Sequence, residues 1–152
     1  MAKVTVANIM IKKVITTTPN NGVVEVARLL DKKKIHGIPV INELKEVVGI
    51  ITETDFYLKN ELGFHIPSYI EFIKNSEFAK GKSQKQSQEY KQLINAKVSD
   101  VMTPKCFTIS PETTVEELIA IFKKKKLYTL PVVNNSKKLV GIVTIADIIK
   151  LI

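Results

Sequence analysis

Gly49-Ile50-Ile51-Thr52-Glu53-Thr54-Asp55 recurs further along the chain as Gly141-Ile142-Val143-Thr144-Ile145-Ala146-Asp147. In both copies a glycine and two apolar residues run into Thr-x-x-Asp. This is the pattern of a strand ending in a helix N-terminus, where threonine and the carboxylate three residues on form a capping box. Outward from this signature, residues 6–58 align with 98–150 without a gap. About 19 of the 53 aligned positions are identical, among them Met10/Met102, Pro19/Pro111, Pro39/Pro131, Gly49/Gly141, Thr52/Thr144 and Asp55/Asp147. A register held over that length marks a duplication.

Each copy reads as β-α-β-β-α. A short β-prone run before a proline, Val14 to Thr18 or Cys106 to Ser110, reads as a first strand. Val23, Val26, Ala27 and Leu30, matched by Val115, Leu118, Ile119 and Phe122, recur at i, i+3, i+4 and i+7 and predict an amphipathic helix. These helices end in Lys32 to Lys34 and Lys123 to Lys126, where cations suit the negative end of the helix dipole. Ile38 to Ile41 with Val47 to Ile51, and Leu130 to Val133 with Leu139 to Val143, flank turn-forming stretches and predict two β-hairpins. One such unit is marginal alone, so the copies are expected to pack about a pseudo-twofold axis through their sheets as one α+β domain. Residues 59–97 are unmatched. Ile66, Tyr69, Ile70 and Ile73, with Pro67 at a first turn, suggest one helix there, and Gly81 to Gln88 carry no apolar residue.

The bulk numbers bound the class. A chain of 152 residues that is 45% hydrophobic can bury one domain's core. Its apolar runs are far shorter than the ~20 residues a membrane span needs, and Met1 to Thr5 lack the layout of a secretory signal, so a cytoplasmic location without membrane insertion is expected. Cys106 is the only cysteine, which excludes an intrachain disulfide and a cysteine metal cluster; it reads as a small buried hydrophobe. His36 and His65 lack the partners of a metal site, and none is expected.

The signature places hydroxyls and a carboxylate at a strand-to-helix junction. Free N–H groups there favour anions, hydroxyls can donate to phosphate or ribose oxygens, and a carboxylate can accept from a ribose diol. The same Thr-x-x-Asp is also a plain helix cap contributing about 1 kcal/mol. The surrounding pattern carries more information. A hydrophobic-x-Pro-Val strand, a short turn and Val-Gly-hydrophobic-hydrophobic-Thr-x-x-Asp, occurring twice at one spacing, resembles the CBS domain family. The resemblance to a tandem pair, or Bateman module, spans both 53-residue copies.

The resemblance implies a regulatory sensor with two symmetry-related clefts, each shared between repeats, taking AMP, ADP or ATP, with S-adenosylmethionine as the alternative. Carried over residue by residue, one cleft combines Ile50, Thr52, Thr54 and Asp55 with Thr108, Ser110, Val115, Leu127, Tyr128 and Thr129. The other combines Ile142, Thr144 and Asp147 with Thr16, Thr18, Val23, Ile35, His36 and Gly37, and has Ala146 where the first has a second hydroxyl. Basic residues that contact phosphate in some members are replaced by His36 and Gly37, and by Tyr128 and Thr129. His36 reads either as a neighbour of the ligand phosphate or as an ordinary histidine.

Other classes fit less well. Catalysis needs a nucleophile and base, or paired carboxylates, in one cleft, whereas Asp55 and Asp147 fall in separate sites; no catalytic residue or catalytic cofactor is expected. The net charge of +8 suits any anionic partner, but all basic residues except Arg28 are lysines, and nucleic-acid readout favours arginine forks. A purely structural interaction module remains compatible. A homodimer is expected on the helices after the signatures, and a separate effector protein as the regulated partner.

Overall fold

The computed structural model describes residues 2–58 and 95–152. Helix α1 (Val6–Ile9) leads into α2 (Val23–Lys33), strands β1 (Gly37–Ile41) and β2 (Val47–Thr52), and helix α3 (Glu53–Leu58). The second copy follows the same order. Helix α4 (Val98–Val101) and the short strand β3 (Thr103–Pro104) precede α5 (Val115–Lys125), β4 (Thr129–Val133), β5 (Leu139–Thr144) and α6 (Ile145–Ile149).

The local chemistry explains the elements. In α2, Val23, Val26, Ala27 and Leu30 form the buried stripe that their spacing predicts. The helix stops at Lys34, which is left-handed at φ 53° and sends its N–H to the Asp31 and Leu30 carbonyls; Lys126 ends α5 in the same conformation. The hairpin tips are built by asparagine: Asn42 Oδ1 accepts from the Leu44 and Glu46 N–H groups at 3.0 and 2.9 Å, and Asn134 does the same in the second copy. Both hairpins pair in one register, Pro39 opposite Ile50 and Pro131 opposite Ile142, with an irregularity before Ile41 and before Val133.

The expected first strands shrink to single parallel bridges, Thr17 with Val40 and Ile109 with Val132. Thr17 donates to the Pro39 carbonyl and accepts from the Ile41 N–H at 3.1 and 2.9 Å, one residue either side of Val40. Pro19 follows immediately after Thr18 and lacks an N–H, so the ladder cannot extend. The helix expected around Ile66 to Ile73, the polar stretch Gly81 to Gln88 and His65 lie outside the described residues.

The packing units differ from the sequence repeats, because the leading segments are exchanged. Val6, with Ile9 and Met10, packs in the second copy's core beside Leu118, Leu130 and Val143. Val98, with Val101 and Met102, packs in the first copy's core beside Val26, Ile38 and Ile51. Backbone bonds fix the exchange symmetrically: Val6 N–H donates to the Thr113 carbonyl at 2.8 Å, and Val98 N–H to that of Asn21 at 2.9 Å. Both valines are fully buried, which contributes roughly 1.5–3 kcal/mol each. The crossing also explains the two signature glycines. A Cβ on Gly141 would stand 2.5 Å from Met10 Sδ, and one on Gly49 would stand 2.7 Å from the Thr103 carbonyl oxygen and 2.8 Å from Met102 Sδ. Hydrophobic patterning specifies that Val6 and Val98 are buried without specifying which repeat they join.

The sheets face each other across the pseudo-twofold axis. Glu46 and Lys138 form an antiparallel bridge, and Leu139 N–H donates to the Lys45 carbonyl at 3.0 Å.

Candidate functional site: two clefts between the repeats

Each strand-to-helix junction opens onto a cavity whose far wall comes from the opposite repeat. Cleft A, about 440 Å³, joins Ile50, Thr52 and Thr54 of the first copy to Leu127, Tyr128 and Thr129 of the second. Cleft B, about 260 Å³, joins Ile142, Thr144 and Asp147 to Ile35, His36 and Gly37. Only cleft A falls within the roughly 300–1,000 Å³ usual for small-molecule sites.

Several anticipated residues stand elsewhere. Thr108, Ser110 and Val115 are not on the cleft A surface, nor are Thr16, Thr18 and Val23 on that of cleft B. Val23 is fully buried in the first core, because its helix turns that face inward. The walls instead include residues that the motif did not single out: Thr103, Cys106, Phe107 and Lys126 in cleft A, and Ile11, Lys13, Val14, Ile15, Lys34 and Lys150 in cleft B. Of these, Ile11 and Thr103 come from the exchanged leading segments, paired with Ile142 and Ile50. The repeat offset offered a signal, since Lys13 to Ile15 and Lys105 to Phe107 directly precede Thr16 and Thr108.

The aspartates are committed to the fold. Asp55 is 6% exposed and does not line cleft A. Its Oδ2 accepts from the Thr52 N–H at 2.8 Å and the Thr52 hydroxyl at 3.3 Å, and its Oδ1 accepts from the Thr103 hydroxyl at 2.9 Å. Asp147, 2% exposed, accepts from the Thr144 N–H and hydroxyl at 2.8 and 3.1 Å and from Lys150 Nζ at 3.4 Å. Both carboxylates therefore cap a helix and aim a threonine hydroxyl. In cleft A that hydroxyl also meets Thr54 Oγ1 at 2.7 Å, giving a chain of hydroxyls that cleft B lacks.

His36 borders both cavities, and its Nδ1 lies 3.3 Å from Glu53 Oε2 on the cleft A side. The Phe107 ring in cleft A carries Lys125 Nζ 4.8 Å from its centroid. Burial pushes the Cys106 thiol up to about 11, with its own backbone hydrogen bond opposing, so the thiol is protonated and unreactive at neutral pH. Among the described residues no group of three or more histidine, cysteine, aspartate or glutamate side chains could hold a metal, and no helix is long and apolar enough to cross a membrane.

Two repeats with exchanged leading segments and a cleft at each junction define a paired-repeat module. The CBS domain profile matches residues 6–58 and 98–152, and the chain belongs to the CBS domain family. The uncharacterized protein MJ1426 of Methanocaldococcus jannaschii is 32% identical over 146 residues, covering 93% of this chain and 87% of that protein. Inosine-5′-monophosphate dehydrogenase of Aquifex aeolicus is 30% identical over 142 residues, but the match covers 93% of this chain and only 23% of the enzyme. Among solved structures, CBSX2 from Arabidopsis thaliana, in complex with AMP, superposes with a TM-score of 0.73 at 23% identity, covering 97% of this chain and 95% of that one. The CBS domain pair of protein MJ0100, in complex with 5′-methylthioadenosine and S-adenosyl-L-methionine, gives 0.67 at 26% identity over 97% and 98%.

Proposed function

We propose that this chain is a regulatory module, without catalysis of its own, that binds an adenosyl ligand between its repeats. The ligand class comprises AMP, ADP or ATP and S-adenosyl compounds. The observation that carries the reading is cleft A. Its cavity combines apolar walls at Ile50, Leu127 and Pro131 and aromatic rings at Phe107 and Tyr128 with the hydroxyls of Thr52, Thr54, Thr103 and Thr129. Flat apolar walls suit a purine, and a cluster of hydroxyls suits a ribose. The adenosyl ligands of the related MJ0100 pair support the same class. Asp55 and Asp147 serve as positioning residues that fix Thr52 and Thr144.

A regulatory module acts through a partner, and the proposed partners are a second copy and a separate cytoplasmic effector. Ile149 at the end of α6 and Leu151 and Ile152 beyond it are exposed and supply apolar surface for such contact. A thermal-shift screen with AMP, ADP, ATP, S-adenosylmethionine and 5′-methylthioadenosine tests the reading. A ligand at one hundred times its Kd adds about 2.7 kcal/mol, roughly 5–10 °C for a chain of this size. No shift with any of the five would contradict it.

A further inference from the structure

The two long helices begin differently, and the difference falls on a backbone latch. Thr113 and Thr114 precede α5, whereas Asn21 and Gly22, the chain's single Asn-Gly step, precede α2. Each pair holds the leading segment of the other repeat. The Thr113 carbonyl accepts from the Val6 N–H at 2.8 Å, and the Asn21 carbonyl accepts from the Val98 N–H at 2.9 Å. On the Asn21 side a second bond, from the Val23 N–H to the Ala96 carbonyl at 3.0 Å, completes an antiparallel bridge between Gly22 and Lys97.

Nothing in the fold calls for glycine at this place. Its φ of −74° and ψ of 140° suit any residue, and a Cβ on Gly22 would meet no atom within 4 Å. Thr114 caps α5 with its side chain, and Gly22 gives α2 no such cap. What glycine provides is an unhindered main-chain nitrogen beside an asparagine amide. Among the described residues the Gly22 N–H has no hydrogen-bond acceptor, and Asn21 and Gly22 are both half-buried, within reach of water. Asn135-Ser136 differs, because the Ser136 N–H is already given to Asn134 Oδ1 at 2.9 Å.

We propose that Asn21 is a site of spontaneous backbone modification, converting through a succinimide to isoaspartate and undoing the latch on Val98. The Gly22 nitrogen gives its proton to water and attacks Asn21 Cγ. The new C–N bond closes the succinimide ring as the Cγ–Nδ2 bond breaks, and Nδ2, freed from Thr17 Oγ1 at 2.9 Å, takes up a proton and leaves as ammonia. Water then opens the ring at either carbonyl. Opening at Cγ gives aspartate; opening at the former main-chain carbonyl gives isoaspartate. In isoaspartate the chain runs through Cβ and Cγ, a carbon longer, and the carbonyl that met Val98 becomes a carboxylate off the main chain. The added carbon falls between the two bonds of the Gly22–Lys97 bridge, so both can no longer be made in one register. The loosened segment also carries Thr103, whose hydroxyl bonds Asp55 at 2.9 Å. The second copy has threonine in place of the asparagine and keeps Val6 latched.

The test ages the purified chain in native buffer and in urea, and maps aspartate and isoaspartate by peptide mass spectrometry with electron-transfer fragmentation. In the folded chain, conversion should concentrate at Asn21 over Asn135. Gly22→Ala, which the open space and ordinary φ accommodate, should convert several-fold more slowly. The isoaspartyl chain, separated by its added negative charge, should exchange its Val98 amide hydrogen faster than the unaged chain while the Val6 amide stays protected. Asn21→Asp, which adds the charge without the extra carbon, should leave Val98 protected as in the wild type. Asn21 that converts in urea but stays intact in native buffer overturns the site. Equal rates in Gly22→Ala overturn the route. An unchanged Val98 amide in the isoaspartyl chain, or the same loss of protection in Asn21→Asp, overturns the release of the latch.

Discussion

Cleft A and cleft B are products of one duplicated plan, and they diverge where the two copies differ in sequence. The same capping geometry stands at the base of each, Thr52 on Asp55 and Thr144 on Asp147, with the same N–H to carboxylate distance of 2.8 Å. Above that base, cleft A extends its hydroxyl network to Thr54 and Thr103, and cleft B replaces it with alanine, isoleucine and a lysine on the aspartate. The caps maintain the fold in both copies, and the walls above them differ.

The largest effect should come from removing the aspartates. Asp55→Ala strips a buried acceptor from three donors, one of them Thr103 on the exchanged segment, and should cost about 3 kcal/mol or more. Asp147→Ala removes the acceptor of two half-buried donors and an exposed lysine and should cost less, about 2 kcal/mol. Urea denaturation that ranks Asp147→Ala as the more damaging change would break the comparison.

Next come the glycines beneath each cleft. Gly141→Ala forces Met10 aside, and Gly49→Ala meets a carbonyl as well as Met102, so each should lose about 1–3 kcal/mol by overpacking. Gly49→Ala should be the worse of the two, because the Thr103 carbonyl cannot swing away as a thioether can. Thermal unfolding of both variants checks the order.

For binding, Tyr128→Ala should weaken an adenosyl ligand by roughly 1 kcal/mol or more, about fivefold or greater, through loss of a stacking face. Its counterpart His36→Ala should have less effect on the same ligand, since His36 stands at the edge shared by both cavities. Calorimetry giving equal losses would place the purine elsewhere.

The smallest effect lies at the start of the long helices. Thr114 caps α5, accepting from the Glu117 N–H at 3.2 Å, while Glu117 Oε2 accepts from the Thr114 N–H and hydroxyl; α2 begins at Gly22 without such a cap. Thr114→Ala should cost about 1 kcal/mol. The Thr114 N–H, then its hydroxyl, hold the Glu117 carboxyl below its usual value. A lowered folded value means that this stabilisation is present above the ordinary carboxylate range and is lost as pH falls through the folded value. Glu117→Gln should remove that part of the acid dependence, as followed by thermal unfolding between about pH 3 and pH 6.

Periodicity and turn chemistry made the hairpins, the long helices and the capped junctions readable from sequence, because each depends on residues close in the chain. The exchange of Val6 and Val98 was not readable, since burial patterns do not name the partner surface. The same gap hid Ile11 and Thr103, which reach the clefts on the exchanged segments by pairing with Ile142 and Ile50. Thr-x-x-Asp looks the same in a cap and in a binding site, so the sequence alone did not separate the two roles of Asp55; its bond to Thr103, 48 residues away, was not readable at all.

The central claim, an adenosyl ligand seated in cleft A, has a built-in reporter. Cys106 is the chain's single cysteine and lines that cavity. Its thiol is pushed up to about 11 by burial, so its alkylation rate should climb with pH by about tenfold per unit below that value. The rate is best measured near pH 9 with and without a saturating adenosyl ligand. The account predicts that the ligand slows Cys106 alkylation in the folded chain and leaves the rate in denatured protein unchanged. A ligand that raises the thermal midpoint while Cys106 reacts at its original rate would contradict it.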